Sequence, residues 1–261
     1  MRRMQLVEIH DHPRFPGLLR DLVTDALQAI WDHANLYKAI APTLHRAIRR
    51  SGGDDVVDLC SGGGGPWLRL ARELEQEEKL PLRVCLTDKY PNLEAFDRAR
   101  LSSRDVVGFW AEPVDAAAVP ARLKGFRTMF SSFHHFAPED ARRVLRNAVE
   151  NGRGVAMFEA AKRSPRTMLL VFWVPFLALG LTPLIRPFRW SRLFWTYVIP
   201  VVPFVLWFDG IVSCLRTYSL AELRELVSGV PGLDWEIGET RSGLLPITYL
   251  IGFAQSGRPA A

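Results

Sequence analysis

Between residues 54 and 160, strand-like and helix-like patterns alternate, which restricts the chain to a few architectures. Val56-Val57-Asp58-Leu59 reads as a short buried strand followed by a glycine cluster. A helix is expected over Trp67 to Glu78, a strand over Arg83 to Thr87, a helix over Asn92 to Arg100 and a strand over Asp105 to Trp110. Arg127 to Ser132 and Gly154 to Glu159 read as further strands, with a helix over Glu139 to Asn151 between them. Ser219-Leu220-Ala221-Glu222 has capping-box spacing ahead of a helix running to Val227. Trp235 to Glu239 and Ile247 to Phe253 read as closing strands. Repeated β-then-α signals imply an α/β fold, a doubly wound, mostly parallel sheet joined by right-handed crossovers.

The flanking segments differ. Leu18, Leu22, Ala26 and Ile30 recur at helical spacing, as do Leu36, Ile40, Leu44 and Ile48, so an N-terminal helical cap is expected over 1–53. Met1-Arg2-Arg3 is basic, but His10, Asp11 and His12 arrive before any apolar run, so no secretory signal is expected. With 261 residues, 48% hydrophobic and 23% charged, the chain can bury a large core, which excludes disorder, collagen and coiled coil as whole-chain descriptions. Cys60, Cys85 and Cys214 are too few for a disulfide framework and fit a reducing, cytoplasmic compartment. The net charge of +5 favours an anionic partner.

Asp58-Leu59-Cys60-Ser61-Gly62-Gly63-Gly64-Gly65 joins the first strand to the first helix of the α/β region. Glycines there let the backbone turn tightly and a ligand approach closely. A phosphate-cradling loop requires Gly-x4-Gly-Lys-Ser/Thr, and no lysine follows. The dinucleotide pattern Gly-x-Gly-x-x-Gly/Ala fails as well, because its third position falls on Trp67 or Leu68. A nicotinamide oxidoreductase is thereby disfavoured.

The loop instead resembles the first motif of class I S-adenosylmethionine-dependent methyltransferases, an acidic residue at a strand end followed by GxGxG. Asp58, Gly62 and Gly64 match, and Cys60 stands where the first glycine is usual. The resemblance covers about two-thirds of the chain. It implies a seven-stranded Rossmann-like methyltransferase fold over 54–165 and 211–261, and S-adenosylmethionine as cofactor. It assigns cofactor contacts to Asp58, Cys60, Ser61, Gly62 and Gly64, and ribose hydroxyls to Asp88 with Lys89 beside it. Asp115 and Ala116 would meet the adenine, and Ser131 and Phe133 would line the cofactor near the methyl-transfer site. The interval from Gly62 to Asp88 is long for the family, and the charged helix end Glu75 to Lys79 is the expected place for the extra length.

His134 and His135 follow the fourth strand and are the candidate catalytic bases, or else pocket lining. No metal site is expected, because consecutive side chains diverge on a strand and only His10 and His12 offer help. Asp209 is the one acid between Glu159 and Glu222. It is either a substrate-orienting carboxylate or an ion-pair partner of Arg216, seven residues on.

Residues 166–210 form a hydrophobic insertion. Met168 to Ile185 is 18 residues without charge and Leu193 to Phe208 is 16 more, separated by Arg186, Arg189 and Arg192. Four prolines, Pro175, Pro183, Pro200 and Pro203, oppose a two-span hairpin. An interfacial element with its arginines at lipid phosphates, an apolar lid and a homodimer contact are the competing roles. The leading expectation is a membrane-associated methyltransferase acting on a small lipophilic acceptor. The alternative is a non-catalytic protein of the same fold, attached to a membrane or partner through the insertion. Nucleic acid is a poor fit, since the basic residues sit among apolar runs.

Overall fold

The structure, a computed structural model, describes residues 1–76, 80–104, 106–151 and 153–254. Residues 77–79, which include the expected helix end and part of the charged segment before Asp88, lie outside the described residues, as does Asp105. The helices are α1 (Gly17–Ala34), α2 (Ala41–Ser51), α3 (Trp67–Gln76), α4 (Leu93–Ser102) and α5 (Pro138–Asn151). Then come α6 (Pro165–Val171), α7 (Val174–Leu181), α8 (Trp190–Leu193), α9 (Val201–Arg216) and α10 (Leu220–Ser228). The strands are β1 (Asp55–Leu59), β2 (Arg83–Leu86), β3 (Val107–Phe109), β4 (Phe126–Phe130), β5 (Gly154–Glu159), β6 (Leu233–Ser242) and β7 (Leu245–Ala254).

The seven strands form one sheet in the order β3-β2-β1-β4-β5-β7-β6. The first five run parallel, and β7 enters antiparallel between β5 and β6. This arrangement is the seven-stranded Rossmann-like methyltransferase fold expected from the sequence. The strand order reverses between β1 and β4, whose carboxyl ends bound the crevice where ligands sit in open α/β sheets.

Burial explains why both faces are covered. On one face α2, α3 and α4 place Leu44, Ile48, Trp67, Leu70 and Phe96 against the sheet. On the other, α5 and α10 bury Val144, Leu145, Leu223 and Leu226, joined by Val114 and Val119 from the segment after β3. The capping box at α10 forms as its spacing predicts: the Ser219 hydroxyl accepts from Glu222 N–H, and the Glu222 carboxylate accepts from Ser219 N–H.

The insertion folds into a third layer. Ser164 caps α6, and α7 and α9 place Ala178, Val202, Val205 and Leu206 against Leu22, Val23, Ala26 and Ile30 of α1. The N-terminal helix and the insertion therefore share one core. The opposite side of this layer is apolar and open to solvent, with Leu169, Trp173, Phe176, Leu184, Trp190 and Phe204 all exposed.

The arginines of the insertion correct the sequence expectation. Arg192 is buried and donates to Asp25 on α1 at 2.7 Å, and Arg189 pairs with Glu94 on α4. These two hold the layer to the protein and are not free for lipid phosphates; Arg186 remains exposed. Arg192→Ala would leave the buried Asp25 carboxylate with Arg98 alone, 2.7 Å away on α4. The expected loss is about 3 kcal/mol in denaturant unfolding, the low end for breaking a buried pair. Unchanged stability would contradict the pairing.

Candidate active site at the carboxyl ends of β1, β2 and β4

Asp58 sits near the end of β1, flanked by Leu86 of β2 and Thr128 of β4. It is fully buried. Its Oδ1 accepts from the Thr128 hydroxyl and its Oδ2 from the Ser61 hydroxyl, each at 2.6 Å. Ser61 N–H also donates to the Thr87 carbonyl. Both carboxylate oxygens thus have partners within the protein, and Asp58 acts by fixing the loop. Burial raises its pKa from 3.8 to about 6 despite those hydroxyls.

After Asp58 the backbone turns through left-handed conformations at Cys60 (φ 57°), Gly62 (54°), Gly64 (116°) and Gly65 (60°). Glycine removes the steric cost at three of these four positions, and Cys60 bears it with a small side chain. At Gly63 close approach is the constraint: a Cβ would lie 2.9 Å from the Thr24 carbonyl oxygen of α1. The turn aims Gly62 N–H at Asp88 Oδ2, 2.8 Å away, while Asp88 Oδ1 accepts from Tyr90 N–H. Burial raises the Asp88 pKa against these backbone bonds.

The remaining expected positions converge on the same strand ends. Val114 N–H donates to the Asp88 carbonyl, which brings the third segment beside the second. There Asp115 is exposed, caps Ala117 N–H and lies 3.8 Å from Lys89 Nζ, while Ala116 is buried. Ser131 has φ 43°, and its hydroxyl bonds Tyr37 Oη at 2.6 Å and accepts from Ala160 N–H. Phe133 is buried, with its N–H on Glu159 Oε1.

The two histidines part company. His134 is buried, with Nδ1 2.7 Å from Glu159 Oε2 and Nε2 3.3 Å from Glu8 Oε1. Burial opposes its charge, but the two carboxylates outweigh burial and push its pKa up to about 10. It therefore holds the loop rather than facing the opening. His135 is partly exposed and its Nδ1 lies 2.6 Å from Asp11 Oδ2.

Glu8 and Asp11 belong to the N-terminal segment, which the sequence reading did not place at the site. Arg216, Asp209 and Ser213 of α9 hold this segment in position. Arg216 donates to Glu8 and Asp11 and to the carbonyls of His134 and His135. Asp209 accepts from Ile9 N–H, His10 N–H and His10 Nδ1. The expected Asp209–Arg216 pair is thus replaced by two separate clamps on residues 8–11. The sequence signal for this cluster was the run Glu8-Ile9-His10-Asp11-His12, dense in titratable groups.

No protein-family model matches the chain, and no curated protein matches it by sequence. Solved structures match its fold. Human N-acetylserotonin methyltransferase, in complex with SAM, aligns at 14% identity over 92% of this chain, with a TM-score of 0.51. The chain spans 56% of that enzyme's length. The plantazolicin methyltransferase BpumL, in complex with SAH, aligns at 9% identity over 92% of this chain and 96% of its own, with a TM-score of 0.49. The fold is that of class I methyltransferases.

The Asp58 cluster yields a pH-dependent expectation. Because its folded pKa is raised from 3.8 to about 6, the fold resists ionisation, a cost absent below the lower value and fully present above the higher one. The Thr128 hydroxyl offsets part of that cost. Thr128→Val should lose about 1.5–3 kcal/mol at pH 8, where the hydrogen bond is to a carboxylate, and about 1 kcal/mol at pH 4.5. Equal losses in unfolding measurements at both pH values would contradict the assignment.

Proposed function

We propose that this protein is an S-adenosylmethionine-dependent methyltransferase. The observation that carries the reading is the contact of Gly62 N–H with the Asp88 carboxylate. It joins the glycine loop after β1 to the acid after β2 at the crevice of this strand order. Asp88 keeps lone pairs beyond its two backbone bonds, and a carboxylate suits the paired hydroxyls of a ribose. The fold-related human enzyme in complex with SAM supports the same ligand. When bound, S-adenosylmethionine supplies a methyl group on a sulfonium, an activated leaving group.

The residues of this chain bind, orient and exclude water. Asp88 accepts the ribose hydroxyls, with Lys89 alongside. Asp115 and the Ala116 N–H flank the adenine. Cys60, Ser61, Gly62 and Gly64 form the loop beneath the cofactor, fixed by Asp58. Ser131 and Phe133 lie toward the methyl end, and His135 faces the acceptor. Calorimetry should show binding of S-adenosylmethionine and S-adenosylhomocysteine but not NAD. Asp88→Ala should weaken that binding roughly 10–150-fold, the loss of hydrogen bonds to a charged group. Unchanged affinity in the variant would overturn the ribose assignment.

We infer further that the acceptor is lipophilic and arrives from a membrane. The outer side of the α6–α9 layer exposes tryptophan and phenylalanine side chains, Trp173, Phe176, Trp190 and Phe204 among them, and α9 carries Asp209 and Arg216 from that layer to the site. Pro165–Leu184 is long and apolar enough to cross a bilayer, but it is broken between α6 and α7, and the second apolar pair bends by 68°. An orientation along the interface leaves Ala178 packed on α1 and the aromatic side chains at headgroup depth. At the cytoplasmic leaflet, Arg186 and the net charge of +5 would favour anionic lipid. Trp173→Ser combined with Phe176→Ser should lower binding to anionic vesicles at least about tenfold, from lost apolar burial. A protein that ignores vesicles would overturn the membrane role, and a dimer split by the double variant would assign the face to a second copy.

A further inference from the structure

The N-terminal segment and the loop after β4 bring together three groups that share the spacing of a metal site. Glu8, His10 and His135 each offer one ligand atom, all within 4.8 Å of one another. Glu8 Oε2 lies 3.7 Å from His135 Nε2. Ligands on a zinc ion at about 2.0–2.2 Å stand roughly 3.4 Å apart in a tetrahedron, so small side-chain movements would close the set.

The surroundings orient each donor. Glu8 is buried, and its Oε1 takes the hydrogen bonds from Ser213 and Arg216. Its Oε2 accepts none from a described residue and turns toward the two imidazoles. Asp11 bonds His135 Nδ1, leaving Nε2 toward Glu8, and Asp209 bonds His10 Nδ1, leaving its Nε2 available. A carboxylate on the far nitrogen of each ligating histidine fixes tautomer and ring orientation at metal centres. Charge points the same way. Glu8 and Asp11 pair with Arg216, Glu159 with His134 and Asp209 with His10, so carboxylates surround the imidazoles and a divalent cation between them would meet a negative field.

We propose that Glu8, His10 and His135 bind a divalent transition-metal ion, at a site open to an oxygen of the methyl acceptor. Two imidazoles and one carboxylate suit Zn²⁺, Fe²⁺ or Mn²⁺ and leave coordination positions free. His135 lies in the segment just after β4, whose carboxyl end bounds the crevice, so the ion would sit beside it. The acceptor class this names is a molecule with a hydroxyl or carboxylate donor, and this part rests on the methyltransferase reading above. His134 is excluded from the set by its bond to Glu159, and the exposed His12 accepts from Arg14 N–H away from the cluster.

The test is calorimetric titration of the full-length, chelator-treated protein with Zn²⁺ and Mn²⁺, together with the visible spectrum of the Co²⁺ form. Wild type should bind one ion, His10→Ala and His135→Ala should each lose more than 100-fold in affinity, and Asp11→Asn should lose 10–100-fold. His12→Ala should bind as wild type. Thermal melts of each variant identify any that fail to fold, and His10→Ala, at a partly exposed position, keeps the comparison usable. An absence of stoichiometric binding, or equal binding by wild type and His10→Ala, overturns the proposal. S-adenosylmethionine titrated in parallel separates the two readings: metal without cofactor binding overturns the methyltransferase reading, and cofactor without metal overturns this one.

Discussion

The carboxylate of Asp209 accepts three hydrogen bonds from a segment two hundred residues earlier, the N–H groups of Ile9 and His10 and the ring of His10. Seven residues on, Arg216 reaches Glu8 and Asp11 from the same helix. These two clamps tie the N-terminal segment to α9 and both to the loop after β4. Without them the chain would still have its sheet, but Glu8 and Asp11 would have no reason to stand over the strand ends. Buried charges of this kind are tolerated only when paired, so the cluster forms as a unit or not at all.

That coupling gives α9 two roles. Its apolar positions close the third core against α1, while Asp209, Ser213 and Arg216 face the crevice. The layer exposing Trp173 and Phe176 is therefore mechanically continuous with the groups beside the cofactor crevice. Arg192 and Arg189 strengthen the attachment by bonding to α1 and α4, on opposite sides of the Gly62–Gly65 turn in sequence. The polar work of the insertion is turned inward, toward the protein.

Much of the fold was legible in the sequence because its signals are local. Strand and helix periodicity located all seven strands, the spacing Ser219 to Glu222 located a cap, and the glycines after Asp58 located a turn requiring positive φ. Asp88 was legible because it follows a strand. The partners of Asp58, Asp209 and Arg192 were not, since each is met across 70 residues or more: Thr128, Ile9 and Asp25. Helical spacing suggested Asp209 with Arg216, but both point into a site filled by another part of the chain, and burial selects the partner that is present. The histidine pair shows the same limit, for nothing local distinguishes His134, locked onto Glu159, from His135, partly exposed and bonded to Asp11.

The central claim is that the crevice over β1, β2 and β4 holds an S-adenosyl cofactor with its reactive end toward His135. A crystal structure of the protein grown with S-adenosylhomocysteine tests it most directly. The expected result places both ribose hydroxyls within hydrogen-bonding distance of Asp88, the adenine beside Asp115 and Ala116, and the sulfur turned toward the loop bearing Ser131 to His135. Ligand density elsewhere on the sheet, or a ribose that leaves Asp88 without contact, would contradict it.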